Sequence, residues 1–343
     1  MGALMRWLAA SALVVLLAGV AAALALRSYI ERPLALDAPQ AFEIPAGGSL
    51  SSVARDLGRA GILDNPRWFV LYTRAKGQSS RLQAGEYLLE PGLTPETLLS
   101  RFVDGDVLLH SLTVVEGWTF SQVLAAMRAH PALVSETGGM EMADIAARLE
   151  LPVDAPEGWF LPETYLFPRG TSDLDLLGQG AEAMGEVLDR AWANRSEDIS
   201  LETPYEALIL ASIIEKETAL DSERGRISGV MNRRLQRGMR LQTDPTVIYG
   251  LGETYDGNLR RADLQRDTPF NTYTRKGLPP TPIALPGRAS VLAAVDPSPG
   301  DALYFVATGD GDGSHAFSNT LEEHNRAVAR YLKKLRSGRE SQR

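Results

Sequence analysis

The chain has 343 residues, of which 44% are apolar and 23% are charged; this is ordinary globular usage and excludes a disordered or fibrous protein. Asp and Glu number 43 against 35 Lys and Arg, and the resulting net charge of −8 argues against a general nucleic-acid binder, which needs a basic surface. Cysteine is absent, which excludes disulfides, zinc–thiolate sites and cysteine nucleophiles.

The N-terminal segment is a candidate membrane span. Residues 7–26 contain no charged side chain, and at a rise of 1.5 Å per residue they cover about 30 Å, the hydrocarbon thickness of a bilayer. The apolar part of a signal peptide is usually about 7–15 residues long, which is shorter than this segment. We therefore interpret the segment as an uncleaved transmembrane helix, although the tripeptide Ala-Leu-Ala at 23–25 resembles a signal-peptide cleavage site. We expect residues 1–6 to be a cytoplasmic stub and the bulk of this single-pass protein to lie on the extracytoplasmic side of the inner membrane.

A small α+β module is predicted at 41–107, after a proline-containing linker at 27–40. Its patterns predict the order strand, helix, helix, strand, helix. The predicted helix starts are Ser49, Asn65-Pro66 and Thr94-Pro95. The stretch GSLSSVA at 48–54 resembles a LysM-like domain, which implies glycan binding. A spacer that sets the distance between the bilayer and the next domain is the alternative.

Residues 108–336 are predicted to form a larger mixed α+β domain, followed by a polar tail at 337–343. The patterns predict strands at 108–115 and 303–307, helices at about 120–129, 173–195, 204–219 and 222–237, and a terminal helix after Thr320. The sequence DGDG at 310–313 fails the EF-hand pattern, because His and Leu take the positions that need Gly and Glu. We interpret it as a hairpin turn.

The helix predicted at 204–219 places a carboxyl group on its apolar side. Thr203 is a predicted N-cap and fixes the helix phase. At about 100° per residue, Glu217 falls at the middle of the face formed by the isoleucines and Leu210, whereas Glu215 falls on the opposite side, as expected for a solvated or ion-paired residue. Burial would raise the pKa of Glu217, which suits a general acid that protonates a glycosidic oxygen. A side chain that reaches water from a frayed helix end is the alternative.

Several longer motifs occur in a fixed order. They are ASIIEKET at 211–218, RLQTDPTVIYG at 240–250, NTY at 271–273 with GLPP at 277–280, and HAFSNTLEEHN at 315–325. Together with the anchor and the small N-terminal module, they make the whole chain resemble the endolytic murein transglycosylase family, also called the YceG-like family. In that family the second Glu of the Glu-Lys-Glu run is catalytic, and this position is Glu217 here.

The resemblance implies cleavage of the β-1,4 bond between N-acetylmuramic acid and N-acetylglucosamine inside a peptidoglycan glycan strand, without water. A single carboxyl acts first as acid and then as base, and the muramic acid C6 hydroxyl closes on C1 to give a 1,6-anhydro end. No metal or other cofactor is implied. The expected partners are nascent glycan strands, the membrane and, as candidates, the peptidoglycan synthases.

Five other residues are candidate substrate contacts. Glu163 follows two aromatic residues in a proline-constrained stretch that suits either stacking on a sugar or a buried packing corner. Gln242 and Asp244 precede Pro245, where their side chains are expected to bind sugar hydroxyl or N-acetyl groups or to cap the next segment. Asn271 and Tyr273 have the same two interpretations.

His315 and His324 lack the spacing of a metal site and are interpreted as structural.

Two alternative functions remain: a non-catalytic glycan-binding scaffold of the cell-wall synthesis machinery, and a muramidase that uses water. Loss of cutting on replacement of Glu217 distinguishes the first, and the chemistry of the product ends distinguishes the second.

Overall fold

The structure is a computed structural model that describes residues 2–341, with side chains described for 5–337. The predicted polar tail at 337–343 extends beyond the described residues. The helices are α1 (Gly2–Glu31), α2 (Leu50–Arg59), α3 (Pro66–Ala75), α4 (Pro95–Asp104), α5 (Phe120–Ala129), α6 (Met142–Arg148), α7 (Asp173–Ala193), α8 (Pro204–Glu217), α9 (Asp221–Gln236), α10 (Asp244–Leu251), α11 (Arg261–Gln265), α12 (Arg288–Val295) and α13 (Leu321–Ser341). The strands are β1 (Gln40–Ile44), β2 (Gly85–Leu89), β3 (Leu109–Thr113), β4 (Leu133–Val134), β5 (Thr164–Pro168), β6 (Thr171–Ser172), β7 (Tyr304–Ala307) and β8 (His315–Ser318).

The strands pair two by two, as β1–β2, β3–β5, β4–β6 and β7–β8. The β1–β2 and β7–β8 pairs are antiparallel, and the second is the hairpin whose turn contains the DGDG sequence. The mixed α+β class predicted from the sequence is therefore confirmed. By their internal contacts the residues divide into two units: unit 1 contains the chain up to His110 together with 166–171, and unit 2 contains 111–165 and the chain from Ser172 onward.

Unit 1 has the predicted order of strand, helix, helix, strand, helix. Ser49 caps α2 by accepting a hydrogen bond from the Ser52 amide, and Thr94 forms a capping box with Thr97 at the start of α4. These caps satisfy amide groups that the helix itself leaves unpaired. The core of the unit is apolar and fully buried around residues such as Phe69.

Helix α1 carries the predicted membrane span. It is the one described helix that is long and apolar enough to cross a bilayer, over Met5–Glu31, and its apolar window is not buried against protein. Only its end packs against the core of unit 1, through Leu26, Tyr29 and Ile30. The remaining apolar surface is left without a protein partner among the described residues.

Unit 2 is organised around α8, which contacts α7, α9, α10 and α12. Thr203 caps α8 as predicted, by accepting a hydrogen bond of 3.2 Å from the Glu206 amide. The helix is buried on all sides from Ala207 to Ile214, so it has no solvated face. Of the two expectations for Glu215, the solvated one is wrong and the ion-paired one is confirmed: this buried carboxylate lies 3.9 Å from the Arg224 guanidinium. It also accepts hydrogen bonds from the Gly287 amide at 3.0 Å and the Ser290 hydroxyl at 2.7 Å.

The aromatic stretch before β5 is a packing corner. Trp159 and Phe160 are 8% and 2% exposed, and the Phe160 ring stacks on Phe120 at 4.9 Å. Beside them lies the buried carboxyl of Glu157, which accepts hydrogen bonds from the Phe120 amide at 2.9 Å and the Tyr249 hydroxyl at 3.1 Å. Burial raises the pKa of Glu157 to about 7, against the hydrogen bonds, which lower it.

Replacing Glu157 with Gln is expected to change how the stability of the fold depends on pH. Because the native pKa of about 7 exceeds the reference value of 4.5, the native state binds more protons between these values, and wild-type stability falls as the pH rises through this window. The neutral Gln removes this term, so the variant should gain stability relative to wild type between about pH 5 and pH 8, by at most about 3 kcal/mol. Thermal unfolding at both pH values measures this. Glu182→Gln, at an exposed position of α7, is the control, and an equal pH response in all three proteins would contradict the prediction.

Candidate active site

Helix α8 ends at a cavity of about 500 Å³ in unit 2. The wall is formed by the last residue of α8, the loop before α10, Tyr273, strand β7, the start of β8 and the start of α13. The lining residues are Glu217, Arg234, Leu241, Gln242, Thr243, Asp244, Tyr273, Tyr304, Phe305, Val306, Ala307, His315, Leu321, His324, Asn325 and Val328.

Glu217 contributes a carboxyl group to the lining of this cavity. It is half-buried and accepts a hydrogen bond from the Thr243 hydroxyl. Burial raises the pKa of Glu217, and the negative charge of Asp244 raises it further. The Thr243 hydrogen bond and the nearby His315 imidazole act in the opposite direction and lower the pKa. The net direction is upward, which favours a carboxylic acid that holds its proton at higher pH than an exposed Glu.

A cluster of buried threonines fixes the loop that carries Thr243. The Thr243 amide donates a hydrogen bond of 3.1 Å to the Thr272 hydroxyl, and the Thr246 hydroxyl donates one of 2.8 Å to the Thr243 carbonyl. Gln242 lies just before, in the left-handed region at φ 55°, which side chains rarely adopt. Such backbone conformations occur where the surrounding structure holds them, often at functional sites.

Arg234 supports the same loop from α9. This buried guanidinium donates hydrogen bonds to the carbonyls of Leu303 at 2.6 Å and Leu241 at 2.8 Å. It also lies over the Tyr304 ring at 5.0 Å. One planar cation therefore ties the loop before α10 to the chain that enters β7.

A second carboxylate, Asp244, also lines the cavity. The Tyr273 hydroxyl donates a hydrogen bond of 2.5 Å to it. Burial and this contact with Asp244 raise the pKa of Tyr273, so the phenol keeps its proton and remains a donor.

His315 faces the cavity with its orientation fixed. Its Nδ1 lies 2.7 Å from a carboxylate oxygen of Glu223, and its amide donates to the other oxygen at 2.9 Å. Glu223 is itself buried. This pair fixes the orientation of the ring at the start of β8, in the wall of the cavity that contains Glu217.

The cavity brings together four of the six predicted site residues: Glu217, Gln242, Asp244 and Tyr273. Glu163 does not line it; this side chain is 44% exposed and forms an ion pair of 2.7 Å with Arg288. Asn271 does not line it either. It is buried, donates to backbone carbonyls such as that of Arg266 at 2.7 Å, and accepts a hydrogen bond of 2.8 Å from the Tyr273 amide. Asn271 therefore positions Tyr273 in the structure.

Among the lining residues that were not predicted, three act on Glu217 or on the loop beside it: Thr243, His315 and Arg234. Thr243 lies between Gln242 and Asp244 in the 240–250 motif, so its position in that motif was the available signal. His315 begins the 315–325 motif but was interpreted as structural. The sequence around Arg234 did not indicate a functional role, because a single Arg on a charged helix is usually solvated. The burial of Arg234 depends on segments that are distant in the sequence.

The site contains the groups needed for acid–base chemistry on a sugar. One carboxyl has a raised pKa, a second carboxylate lies in the same cavity, and several hydroxyl and amide groups surround them. Among the described residues, no group of three or more His, Asp or Glu side chains is arranged to hold a metal ion.

Comparison with known proteins places the chain. The profile of the YceG-like family matches residues 42–330. The chain belongs to the YceG-like family. The family predicted from the motifs is therefore confirmed.

Similar YceG-like proteins include the endolytic murein transglycosylase of Bacillus subtilis strain 168, which is 30% identical over 306 residues that cover 84% of each chain. The endolytic murein transglycosylase of Streptococcus pneumoniae strain D39 is 27% identical over 330 residues, which cover 84% of this chain and 58% of the pneumococcal protein. The crystal structure of a YceG-like protein from Listeria monocytogenes shares 29% identity and a TM-score of 0.53, covering 85% of this chain and 99% of that one. These names agree with the predicted class of enzyme, a lytic transglycosylase.

Proposed function

We propose that this YceG-like protein is a membrane-anchored endolytic lytic transglycosylase that cleaves nascent peptidoglycan glycan strands, with Glu217 as the single acid and base. The observation that carries the proposal is the Glu217 carboxyl, which lies in the wall of a polar cavity with its pKa raised by burial. A carboxylic acid with a raised pKa is the group that protonates a leaving glycosidic oxygen near neutral pH.

The proposed reaction moves one proton out of Glu217 and one back. The protonated carboxyl donates to the oxygen that leaves C1 of the muramic acid residue, and the C1–O bond breaks. The carboxylate then accepts the proton of the C6 hydroxyl as that oxygen bonds to C1. The products are a 1,6-anhydro end and a free 4-hydroxyl, and no water is consumed.

The other lining residues would hold the sugar in place. Asp244 and Gln242 offer hydrogen-bonding groups at the mouth, where both side chains are exposed. Tyr273 adds a hydroxyl whose proton is directed to Asp244. The closure is intramolecular because the C6 hydroxyl and C1 belong to the same sugar ring, so the site has only to hold that ring in the conformation that brings the two together. The predicted sugar contact of Glu163 lies outside this cavity and would belong to a more distant part of the strand.

Asp244 makes a water-using muramidase the second candidate, because two carboxylates in one cavity suit hydrolysis. Mass spectrometry of the products from purified protein distinguishes the two. Anhydro ends, which lack one water relative to reducing ends, support the transglycosylase. Only reducing ends would reject it in favour of hydrolysis, and uncut strands would favour the non-catalytic scaffold.

The domain organisation supports action near the bilayer. We propose that residues 7–26 span the inner membrane after a cytoplasmic stub at 1–6, and that 27–40 link the span to a LysM-like glycan-binding module at 41–107. Residues 108–336 would then form the catalytic domain on the extracytoplasmic side. A span in this position restricts cutting to glycan close to the membrane, where peptidoglycan synthases are the candidate partners.

Two substitutions beside Glu217 should move the pH dependence of kcat in opposite directions. The active form holds its proton, so activity falls as the pH rises through the pKa of Glu217. Thr243→Val removes a hydrogen bond that lowers this pKa, and the alkaline limb should move to higher pH. Asp244→Asn removes a charge that raises the pKa, and the limb should move to lower pH. The measurement is the rate of strand cleavage as a function of pH, which gives the position of the alkaline limb for each variant. Shifts of the same sign in the two variants would contradict the assignment.

A further inference from the structure

A basic groove lies between α2 and α3 in unit 1. Its lining contains one acidic residue, Asp64, and four exposed arginines: Arg55, Arg59, Arg67 and Arg74. Arg59 lies 3.2 Å from the Asp56 carboxylate, whereas the other three form no ion pair with any residue in the described part of the chain. The protein as a whole carries a net charge of −8, so this positive charge is a local concentration.

The outer face of α3 combines these charges with apolar surface. Arg67, Leu71 and Arg74 are spaced four and three residues apart and therefore share one face of the helix. Leu71 is 55% exposed, and Trp68 lies half-buried beside it. Basic residues, an exposed apolar residue and a tryptophan on one side are typical of helices that lie in a bilayer interface.

The groove adjoins the end of α1. The Trp68 ring lies 6.4 Å from the Tyr29 ring of α1. A second cavity, between the end of α1 and the turn that joins α2 to α3, shares three residues with the groove: Leu63, Asp64 and Asn65. Tyr29 lies three residues beyond the charge-free segment, or about 4.5 Å along the helix. The headgroup layer of one leaflet is about 5–7 Å thick, so Trp68 would lie at headgroup depth.

We propose that this groove binds the phosphate-bearing headgroups of anionic phospholipids in the leaflet from which α1 emerges. The proposal rests on the proposed membrane anchor. Guanidinium groups match phosphate oxygens with paired donors, and within the described part of the chain only Arg59 of the four arginines has a carboxylate partner. The bilayer is the source of phosphate that the position of the groove selects.

The absence of cysteine allows a direct test with full-length protein in lipid nanodiscs. A single label at Leu71→Cys reports on the groove, and one at Leu88→Cys, an exposed leucine of β2 outside the groove, is the matched control. Each is measured in phosphatidylcholine and in mixed phosphatidylcholine–phosphatidylglycerol nanodiscs, with a water-soluble quencher. We expect the Leu71 label to be shielded in the anionic bilayer and the Leu88 label to be open in both.

Removing two of the arginine charges measures how much they contribute to docking on the anionic bilayer. Each arginine near an anionic surface contributes about fivefold to the docking equilibrium, so Arg67→Gln with Arg74→Gln should weaken docking by about 25-fold and expose the label. Shielding that is equal in the two lipids, or that survives the double substitution, would overturn the proposal. Loss of shielding on addition of inorganic phosphate would assign the groove to free phosphate and also overturn it.

The same preparations separate this proposal from the others. Co-elution of the chain with the nanodisc reports insertion of α1, and strand cleavage reports the catalytic proposal. A chain that does not co-elute overturns both the anchor and the headgroup site. A chain that co-elutes with an exposed Leu71 label overturns the headgroup site alone.

Discussion

Replacing Glu217 with Gln is expected to lower kcat for strand cleavage by about 10²–10⁴-fold, the range contributed by a positioned general acid and base. The amide keeps the shape of the side chain and can still accept the hydrogen bond from Thr243. It has no acidic proton, so it cannot protonate the leaving oxygen. Substrate binding should change little, because the same atoms line the cavity. The measurement is kcat and KM on purified glycan strands, with anhydro ends quantified by mass spectrometry.

The control for this variant is Glu182→Gln, the same chemical change at an exposed position of α7. It should cleave at the wild-type rate. Glu217→Gln should also unfold at a temperature equal to or above that of wild type at neutral pH, because a neutral side chain avoids the burial cost of the charge. A Glu217→Gln protein that cleaves normally would remove this residue from the mechanism.

Arg234→Lys is expected to lower kcat by about 10²-fold without removing any atom that reacts. Arg234 donates through Nε to the Leu303 carbonyl and through Nη1 to the Leu241 carbonyl, and one ammonium group cannot reproduce both directions. The loop that aims Thr243 at Glu217 would shift, and a displacement of about 1 Å in such a site can cost about 10²-fold in rate. Loss of hydrogen bonds to a buried charge should also destabilise the fold by about 2–3 kcal/mol.

Two readouts separate positioning from stability in this variant. The alkaline limb of the pH profile should move up, because a looser Thr243 hydrogen bond lowers the pKa of Glu217 less. Arg233→Lys is the matched control, since the neighbouring Arg233 donates to the Ala302 carbonyl at 2.8 Å and lies outside the cavity lining. It should lose stability but keep the pH profile. An unchanged profile and kcat in Arg234→Lys would show that the loop holds its position without this side chain.

Local elements were predictable where the signal lay within a few neighbouring residues. The capping box at Thr119 gave α5 with both of its ends, and Thr203 with Pro204 gave the start of α8. Such signals work because a cap satisfies backbone amides within its own turn. The hairpin turn predicted at DGDG is present, and its Gly311 and Gly313 adopt the left-handed backbone angles that glycine accepts without strain.

The helix-phase argument identified Glu217, but the face it assumed does not exist. Helix α8 is enclosed by four other helices, so the side chain of Glu215 is only 7% exposed although it lies opposite the predicted apolar face. What separates the two glutamates is their partners. Glu215 accepts hydrogen bonds from Gly287 and Ser290 and forms an ion pair with Arg224, whereas Glu217 lines a cavity and has a hydroxyl donor, Thr243. Periodicity records which residues are apolar and contains nothing about the chain that packs against them.

The aromatic stretch before β5 shows the same limit. Trp159 and Phe160 suited a sugar platform or a packing corner equally well, because both need large apolar rings. Contacts with Tyr205 at 6.1 Å and Phe120 at 4.9 Å, from segments about 40 residues away in either direction, decided for packing. Asn271 is a similar case. Its side-chain amide donates hydrogen bonds to carbonyls of the preceding loop, so it supports the site from outside the cavity.

The sequence by itself determined the mixed α+β class, the apolar N-terminal helix, the family and the position of one carboxyl at the end of α8. These features can be read from neighbouring residues along the chain: the length of the charge-free segment, the helix-capping residues, and the motifs that occur in a fixed order. Only the tertiary structure decided that Glu217, Asp244, Tyr273, Arg234 and His315 share one cavity, because their proximity is set by the packing of α8, α9, the loop before α10 and the β7–β8 hairpin. The raised pKa of Glu217 belongs to that packing as well, since burial and neighbouring charge exist only when distant segments meet.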